Sequence, residues 1–384
     1  MKSYSRALPK RVQKPSRPFS DGHQADYVLL ALLGIIILVG LVMLSSASSV
    51  VAFETFGDTN YYLKHQFLYG ILLGGIALFV FSKIDYRVWK RYSFLLLVVT
   101  IFLLIIVLIP GIGYEYLGAR RWINIGGVLF QPTEVAKLTF LIYLATWLEK
   151  REKHVENFAY GFLAFIFLLG IVSILILLEP NMSTMIIIAV ISLVVYFVGG
   201  AHVKHLSILG VGGIGLFILL AKIAPYRAAR FKVFLNPELD PLGIGYHINQ
   251  ALLAIGSGGI FGQGLGHSRQ KYNYLPEVTS DSIFAIIAEE LGFIIAIGII
   301  ALFIALMIRG FKISRQASDM FGKLVAAGIT AWITFQAFVN IGSMLSLLPL
   351  TGIPLPFISY GSSSVLTLMA AFGILLNISK HTKS

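Results

Sequence analysis

The 384-residue chain is 57% hydrophobic and 12% charged, has thirty Lys and Arg against eighteen Asp and Glu, and contains no cysteine. Soluble domains carry roughly 25% charged residues, so a mean hydropathy of +0.84 excludes a soluble protein able to cover its own surface with polar groups. The lack of cysteine excludes a disulfide framework, a thiolate metal centre and a cysteine nucleophile. Basic residues of a membrane protein collect on cytoplasmic loops, so the net charge of +12 does not by itself imply an anionic partner.

Residues 1–26 are polar and basic, with Lys2, Arg6, Lys10, Arg11, Lys14 and Arg17, and Pro9, Pro15 and Pro18 oppose a helix. They are expected to form a disordered cytoplasmic tail drawn to anionic lipid. Ten continuous apolar runs follow, at 27–47, 64–82, 91–110, 132–148, 158–178, 182–200, 204–223, 283–308, 324–346 and 360–379. About 20 residues span a hydrocarbon core. Backbone in lipid must satisfy its own hydrogen bonds, and the runs are continuous rather than alternating, so they predict helices and not barrel strands. The expected fold is all-α: a polytopic membrane protein of about ten transmembrane helices over 27–379, with a short cytoplasmic C-terminus at 380–384.

With the N-terminus inside, twenty of the thirty Lys and Arg fall on inner segments and nine on outer ones, with Lys137 inside a helix. That asymmetry predicts both termini in the cytoplasm. The outer loop 224–282, between helices seven and eight, is far longer than most connections and is expected to carry function. Within it Ile248, Leu252 and Ile255 recur at helical spacing, which predicts an amphipathic helix along the membrane surface. Arg227, Arg230, Lys232, Arg269 and Lys271 place cations in this loop, against the charge rule.

Ionisable residues at or within the membrane mark candidate chemistry. Asp281 stands at the start of helix eight. It reads either as a helix cap or as an outward carboxylate able to act as general base or hold a metal ion. Glu289 and Glu290 lie roughly 12 Å deeper; they are expected to be structural hydrogen-bonding groups in a central helix. Glu134 and Lys137, three apart, share a face at the start of helix four, as an ion pair or as a cation for an anionic ligand. Arg120 precedes them. There is no P-loop, dinucleotide fingerprint, HExxH or nucleophile elbow, so nucleotide hydrolysis is not this chain's energy source.

These stretches resemble one family. Gly118-Ala119-Arg120-Arg121-Trp122, Gln131-Pro132-Thr133-Glu134-Val135-Ala136-Lys137, Glu179-Pro180-Asn181, Gly256-Ser257-Gly258-Gly259 through Tyr274-Leu275-Pro276-Glu277 to Asp281, Ala288-Glu289-Glu290-Leu291-Gly292 and Pro349 through Gly361 occur in one order. Together they resemble the SEDS (shape, elongation, division, sporulation) family, and the stretch from Gly264 to Glu277 is most similar to its FtsW and sporulation branch. The chain departs from the family pattern at several positions. Thr279, Ser280 and Ser282 flank Asp281 where His, Thr and Phe are usual, Asn181 replaces an Asp, His247 a Gln and Ser362 a Gly.

The resemblance implies a peptidoglycan glycosyltransferase. It would polymerise lipid II into glycan strands on the outer membrane face during septal wall synthesis and release polyprenyl diphosphate. It implies a class B penicillin-binding protein and other divisome proteins as partners, and membrane lipids rather than nucleic acid. On those terms Asp281 is expected as general base, or as ligand to a divalent cation, Mg or Mn. Arg120, Lys137 and Lys271 are expected to meet the leaving diphosphate, with Glu134 and Glu277 orienting them. The rival readings are a lipid II flippase, an elongation polymerase of the RodA type and a non-catalytic wall scaffold.

Overall fold

The computed structural model describes residues 24–116, 118–223 and 225–382. Most of the basic tail and the last two residues therefore lie outside the described residues. All ten apolar runs form helices: α1 (Tyr27–Phe56), α2 (Tyr61–Lys83), α3 (Arg87–Ile106), α4 (Pro132–Lys150), α5 (Phe158–Leu178), α6 (Met182–Val198) and α7 (Val203–Ile223), then, after the long loop and its helices α8 (Pro225–Leu235) and α9 (Ile244–Ser257), α10 (Ile283–Gln316), α11 (Met320–Met344) and α12 (Ser362–Ser379).

Seven of the described helices are long and apolar enough to cross a membrane by themselves: α1, α2, α3, α5, α10, α11 and α12. Of the other three runs, α6 has 17 residues, α7 carries Lys204 and His205 in its first turn before an apolar run that continues through Phe217-Ile218-Leu219-Leu220, and α4 includes Glu134, Lys137, Glu149 and Lys150. Of these, α4 and α6 bury much of their surface against neighbouring helices, whereas the described side chains of α7 are mostly exposed. The chain is an integral membrane protein.

Local chemistry accounts for the helix ends. Asp26 caps α1 through a bond from Leu29 N–H at 3.0 Å, a short polar side chain satisfying an orphan amide. Gly57 ends α1 in the left-handed region at φ 70°, where glycine meets no Cβ penalty. Asn181, the residue that departs from the family's Asp, caps α6 by accepting from Thr184 N–H at 3.2 Å.

The most enclosed helices are α11 and α12; in each, 89% of the membrane-length window is buried. This corrects the expectation that helix eight is central. In α10 only the first part, Ile283–Glu290, is continuously buried, and beyond it the helix turns one side outward. The reason is Gly292, which at φ 80° and ψ −178° leaves helical geometry and breaks α10 in two. The freed backbone bonds to the glycine-rich loop instead: Phe293 N–H donates to Gly259 O at 2.9 Å, and Gln263 and Gly264 N–H donate to Glu289 and Glu290 O at 3.0 Å each.

A further difference is a small antiparallel sheet between α3 and α4: β1 (Gly113–Tyr116), β2 (Ala119–Ile125) and β3 (Val128–Phe130), in that order. Its second turn is Gly126-Gly127, both at positive φ, the geometry that a two-residue hairpin demands. The sheet sits in a connection, so the helical architecture is unchanged. The α9 expectation holds as a helix with a shifted face. Ile248, Ala251 and Ala254 are buried, while Leu252 is exposed.

Candidate active site

Asp281 is carried by a turn whose backbone is fixed on several sides. Glu277 takes a left-handed conformation at φ 53°, and its carbonyl accepts from the N–H groups of Ser280 and Ser282 at 3.1 Å each. Three successive carbonyls are then held from outside the turn. Thr279 O accepts from Tyr360 N–H at 2.8 Å, Ser280 O from the Ser359 hydroxyl and Asp281 O from Asn340 Nδ2 at 2.8 Å. The N-cap position of α10 is Ser282, and its hydroxyl bonds to Pro276 O at 2.7 Å rather than to the helix. The cap reading of Asp281 is therefore set aside, and its carboxyl is available for other work.

Electrostatics tune that carboxyl. Burial raises its pKa, Glu277 nearby raises it further and Arg230 opposes both, leaving it pushed up to about 7. Gly352, at φ 68°, lies against it; a Cβ there would stand 3.4 Å from Asp281 Oδ2. A carboxyl in that range exchanges protons readily near neutral pH.

Arg230, on α8, reaches the same region and donates to Leu350 O at 3.3 Å; the side chain of Arg227 lies outside the described residues. His247 on α9 meets Ser282 Oγ at 2.7 Å. Burial and Arg230 push this imidazole down to about 4, so it is neutral at pH 7. His247 and Ser282 both depart from the family pattern, and they are each other's hydrogen-bond partners. Ser362, another departure, has its hydroxyl 3.2 Å from His65 Nδ1.

Lys137 and Glu134 form a buried ion pair at 2.7 Å, with side chains 1% and 5% exposed. The ammonium also bonds Gln336 Oε1 at 3.3 Å and sits 4.8 Å from the Trp332 ring centroid. Glu134 Oε2, buried, has no hydrogen-bond partner. Arg120 lies on β2 and pairs with Glu115 at 2.9 Å, both partly exposed. It is Arg121 that reaches the turn after α5, donating to Glu179 O at 3.2 Å and to Pro180 O. The Glu179 carboxyl is buried without a hydrogen-bond partner, and burial pushes it up to about 9.

Lys271 stands apart from Asp281's surroundings. Its ammonium bonds Gly266 O at 2.7 Å, Glu290 Oε1 at 3.0 Å and Ser46 Oγ at 3.3 Å, so all three N–H groups are engaged within the protein. Glu290 also accepts from the Ser46 hydroxyl and Ser268 N–H, and Glu289 from the Ser268 hydroxyl and from Arg269 N–H at 2.9 Å. The two glutamates are structural, as expected, though their partners are a loop and α1 rather than a circle of helices. Glu277 accepts from the Ser280 hydroxyl at 2.7 Å, within its own turn. Asn340 and Gln336 escape a reading of the sequence. The available signal is polar residues four apart in an apolar helix.

Among the described residues no three His, Asp or Glu side chains converge as a cation cage. Mg²⁺, however, is commonly held by one or two carboxylates completed by phosphate and water, and Asp281 is a carboxylate of that kind.

Known proteins share this chain's sequence and shape. A family model described as cell cycle protein, covering FtsW, RodA and SpoVE, matches residues 26–384. Stage V sporulation protein E of Bacillus subtilis (strain 168) is 41% identical over 358 residues, 93% of this chain and 98% of that protein. A probable peptidoglycan glycosyltransferase FtsW of Nitrosomonas europaea is 42% identical over 361 residues, 92% of each chain. Among solved structures, a chain of a peptidoglycan synthase complex superposes with a TM-score of 0.75 at 28% identity, covering 92% of this chain and 97% of that one. Rod shape determining protein RodA of Thermus thermophilus superposes with a TM-score of 0.69 at 28% identity, covering 94% and 98%.

Proposed function

Because the chain belongs to the FtsW, RodA and SpoVE family, we propose that it is a peptidoglycan glycosyltransferase that polymerises lipid II, with Asp281 as its general base. The observation that carries this reading is Asp281 itself, a carboxyl on a turn pinned at three successive carbonyls, tuned to about 7 beside Arg230. In glycan polymerisation an acceptor N-acetylglucosamine hydroxyl attacks the anomeric carbon of the donor. The carboxylate takes the hydroxyl proton as the new glycosidic bond forms, and the bond to polyprenyl diphosphate breaks. A single displacement converts the α-linked donor into a β-linked product.

The departing diphosphate gathers negative charge, which fixed cations stabilise without reorganisation. Lys137 and Arg230 are the cations tied to the 349–361 loop beside Asp281, Lys137 through Gln336 and Arg230 through Leu350 O. Arg120 serves from the β-sheet at the rim. Lys271, with its donors engaged, supports the loop. In the alternative role Asp281 would be ligand to a Mg or Mn ion, which would supply Lewis-acid stabilisation of the diphosphate when bound. A cleft of about 850 Å³ between α1, α2 and the outer loop, with walls of Leu41, Val42, Leu63 and Phe67, offers room for a polyprenyl chain.

The reading puts both termini in the cytoplasm and the site on the extracytoplasmic face, as the Lys and Arg asymmetry predicts. It also gives the enzyme a class B penicillin-binding protein and other divisome proteins as partners in septal synthesis. The test is polymerisation of lipid II by purified protein with its transpeptidase and Mg²⁺ or Mn²⁺. Wild type is expected to make glycan and well-folded Asp281→Ala none. Equal polymer from both removes Asp281 from the chemistry, and none from either favours the flippase or scaffold.

A further inference from the structure

Two amides on α11 stand where the candidate base and the buried cation meet the same loop. Asn340 and Gln336 are four residues apart, hence on one face of the helix and about 6 Å apart along its axis. Both are fully buried. Asn340 Nδ2 donates to Asp281 O and to Ile353 O, each at 2.8 Å. Gln336 Nε2 donates to Pro354 O at 3.0 Å, while its Oε1 accepts from Lys137 Nζ at 3.3 Å and Trp332 Nε1 at 2.8 Å.

Neither amide can be turned over. Flipping Asn340 would set its oxygen against two carbonyl oxygens, and flipping Gln336 would set its amino group against an ammonium and an indole N–H. The partners therefore define both orientations. Consecutive residues of one loop, Ile353 and Pro354, are thus stitched to the turn of Asp281 and to Lys137. Ser359 extends the seam: its hydroxyl donates to Ser280 O and accepts from Leu355 N–H at 2.8 Å.

We propose that Asn340, with Gln336 and Ser359, is a positioning residue of the polymerase site: it locks the 353–360 loop against the Asp281 turn and so sets where the carboxyl points. The amide is buried and touches no reacting atom, so it acts through Asp281, and the proposal rests on the reading of Asp281 as the base. Misplacing a reacting group by about 1 Å can cost 100-fold in rate. Substrate binding, made by other groups, is left nearly as it was.

The experiment is steady-state lipid II polymerisation by the full chain with its transpeptidase, for wild type, Asn340→Leu, Asp281→Ala, Asp281→Glu and the Asp281→Glu/Asn340→Leu pair, with thermal midpoints as controls. Asn340→Leu keeps the volume and removes both donors. It is expected to lower kcat about 100-fold with KM for lipid II within about threefold. In Asp281→Glu, whose carboxyl is already displaced, the same change is expected to cost less than about threefold more, since residues acting as one unit are not additive. A kcat within about threefold of wild type, or an equal loss in both backgrounds, overturns the proposal. If Asn340→Leu does not fold, Ser359→Ala takes its place: reduced kcat at unchanged KM supports the seam, and unchanged kcat sinks it. Asp281→Ala keeps the two ideas apart. Full activity there defeats the base assignment, whereas an inactive Asp281→Ala beside a fully active Asn340→Leu defeats only the positioning role.

Discussion

Lys271 and Glu290, nineteen residues apart, form a buried ion pair at 3.0 Å with side chains 3% and 0% exposed. The pair fastens the outer loop to the first half of α10, and Ser46 ties it to α1. Removing one member leaves the other charged and buried, at about 3–5 kcal/mol. Lys271→Met is therefore expected to lower the unfolding midpoint sharply, while Lys271→Met with Glu290→Leu recovers most of the loss. Thermal unfolding of the purified protein measures both, and a double variant no better than the single one removes the pair from the stability argument.

The raised pKa of Asp281 makes two pH predictions. Its proton leaves the unfolded chain near the ordinary 3.8 and the folded chain near 7. Between those values the native state binds more protons, so stability falls as pH rises through the window and the loss is complete above it. Asp281→Asn, which cannot ionise, is expected to raise the melting midpoint at about pH 8 more than at about pH 5. Polymerisation by wild type is expected to climb through about pH 7 as the carboxylate forms. A rate independent of pH across that range would contradict the base role.

Lys137 has three neighbours in Glu134, Gln336 and the Trp332 ring, and almost no exposed surface. Lys137→Met retains the bulk and removes the charge. The loss of one preorganised donor typically costs 100- to 1,000-fold in kcat, and a loss of about that size is expected in a lipid II assay. Glu134→Gln keeps a hydrogen-bond acceptor for the ammonium and is expected to be milder. A Lys137→Met enzyme with near-normal kcat would assign the pair to packing alone.

Gly292 breaks α10 where no other residue fits. A Cβ there would stand 2.3 Å from Gly262 N and 2.6 Å from Ile260 O, at φ 80°. Gly292→Ala adds backbone strain of about 1–3 kcal/mol to that collision. It is expected to abolish recovery of monodisperse protein. Gly298→Ala, with nothing near its would-be Cβ, is the control expected to fold normally. Size-exclusion profiles of the two variants decide the matter.

The parts of this protein set by local physics are legible in its residues. Apolar length predicts ten helices because lipid allows the backbone no other economy, and charged residues in that setting point to Asp281, Lys137, Glu134, Glu289 and Glu290. Even the small sheet has a local signature in Gly126-Gly127. The choice among roles is not legible there, because it depends on partners far apart in the chain. Lys137 meets Gln336 across 199 residues and Asp281 meets Asn340 across 59. Periodicity assigns each to a helix face but cannot say which other face it meets. Lys271 reads along the chain as a cation for substrate, yet in the fold Glu290, Gly266 and Ser46 hold all its donors. Sequence by itself determined which groups are costly to bury; tertiary packing alone decided which are satisfied inside the protein and which are left for chemistry, because a hydrogen bond needs its partner at about 3 Å and only the folded chain brings it there.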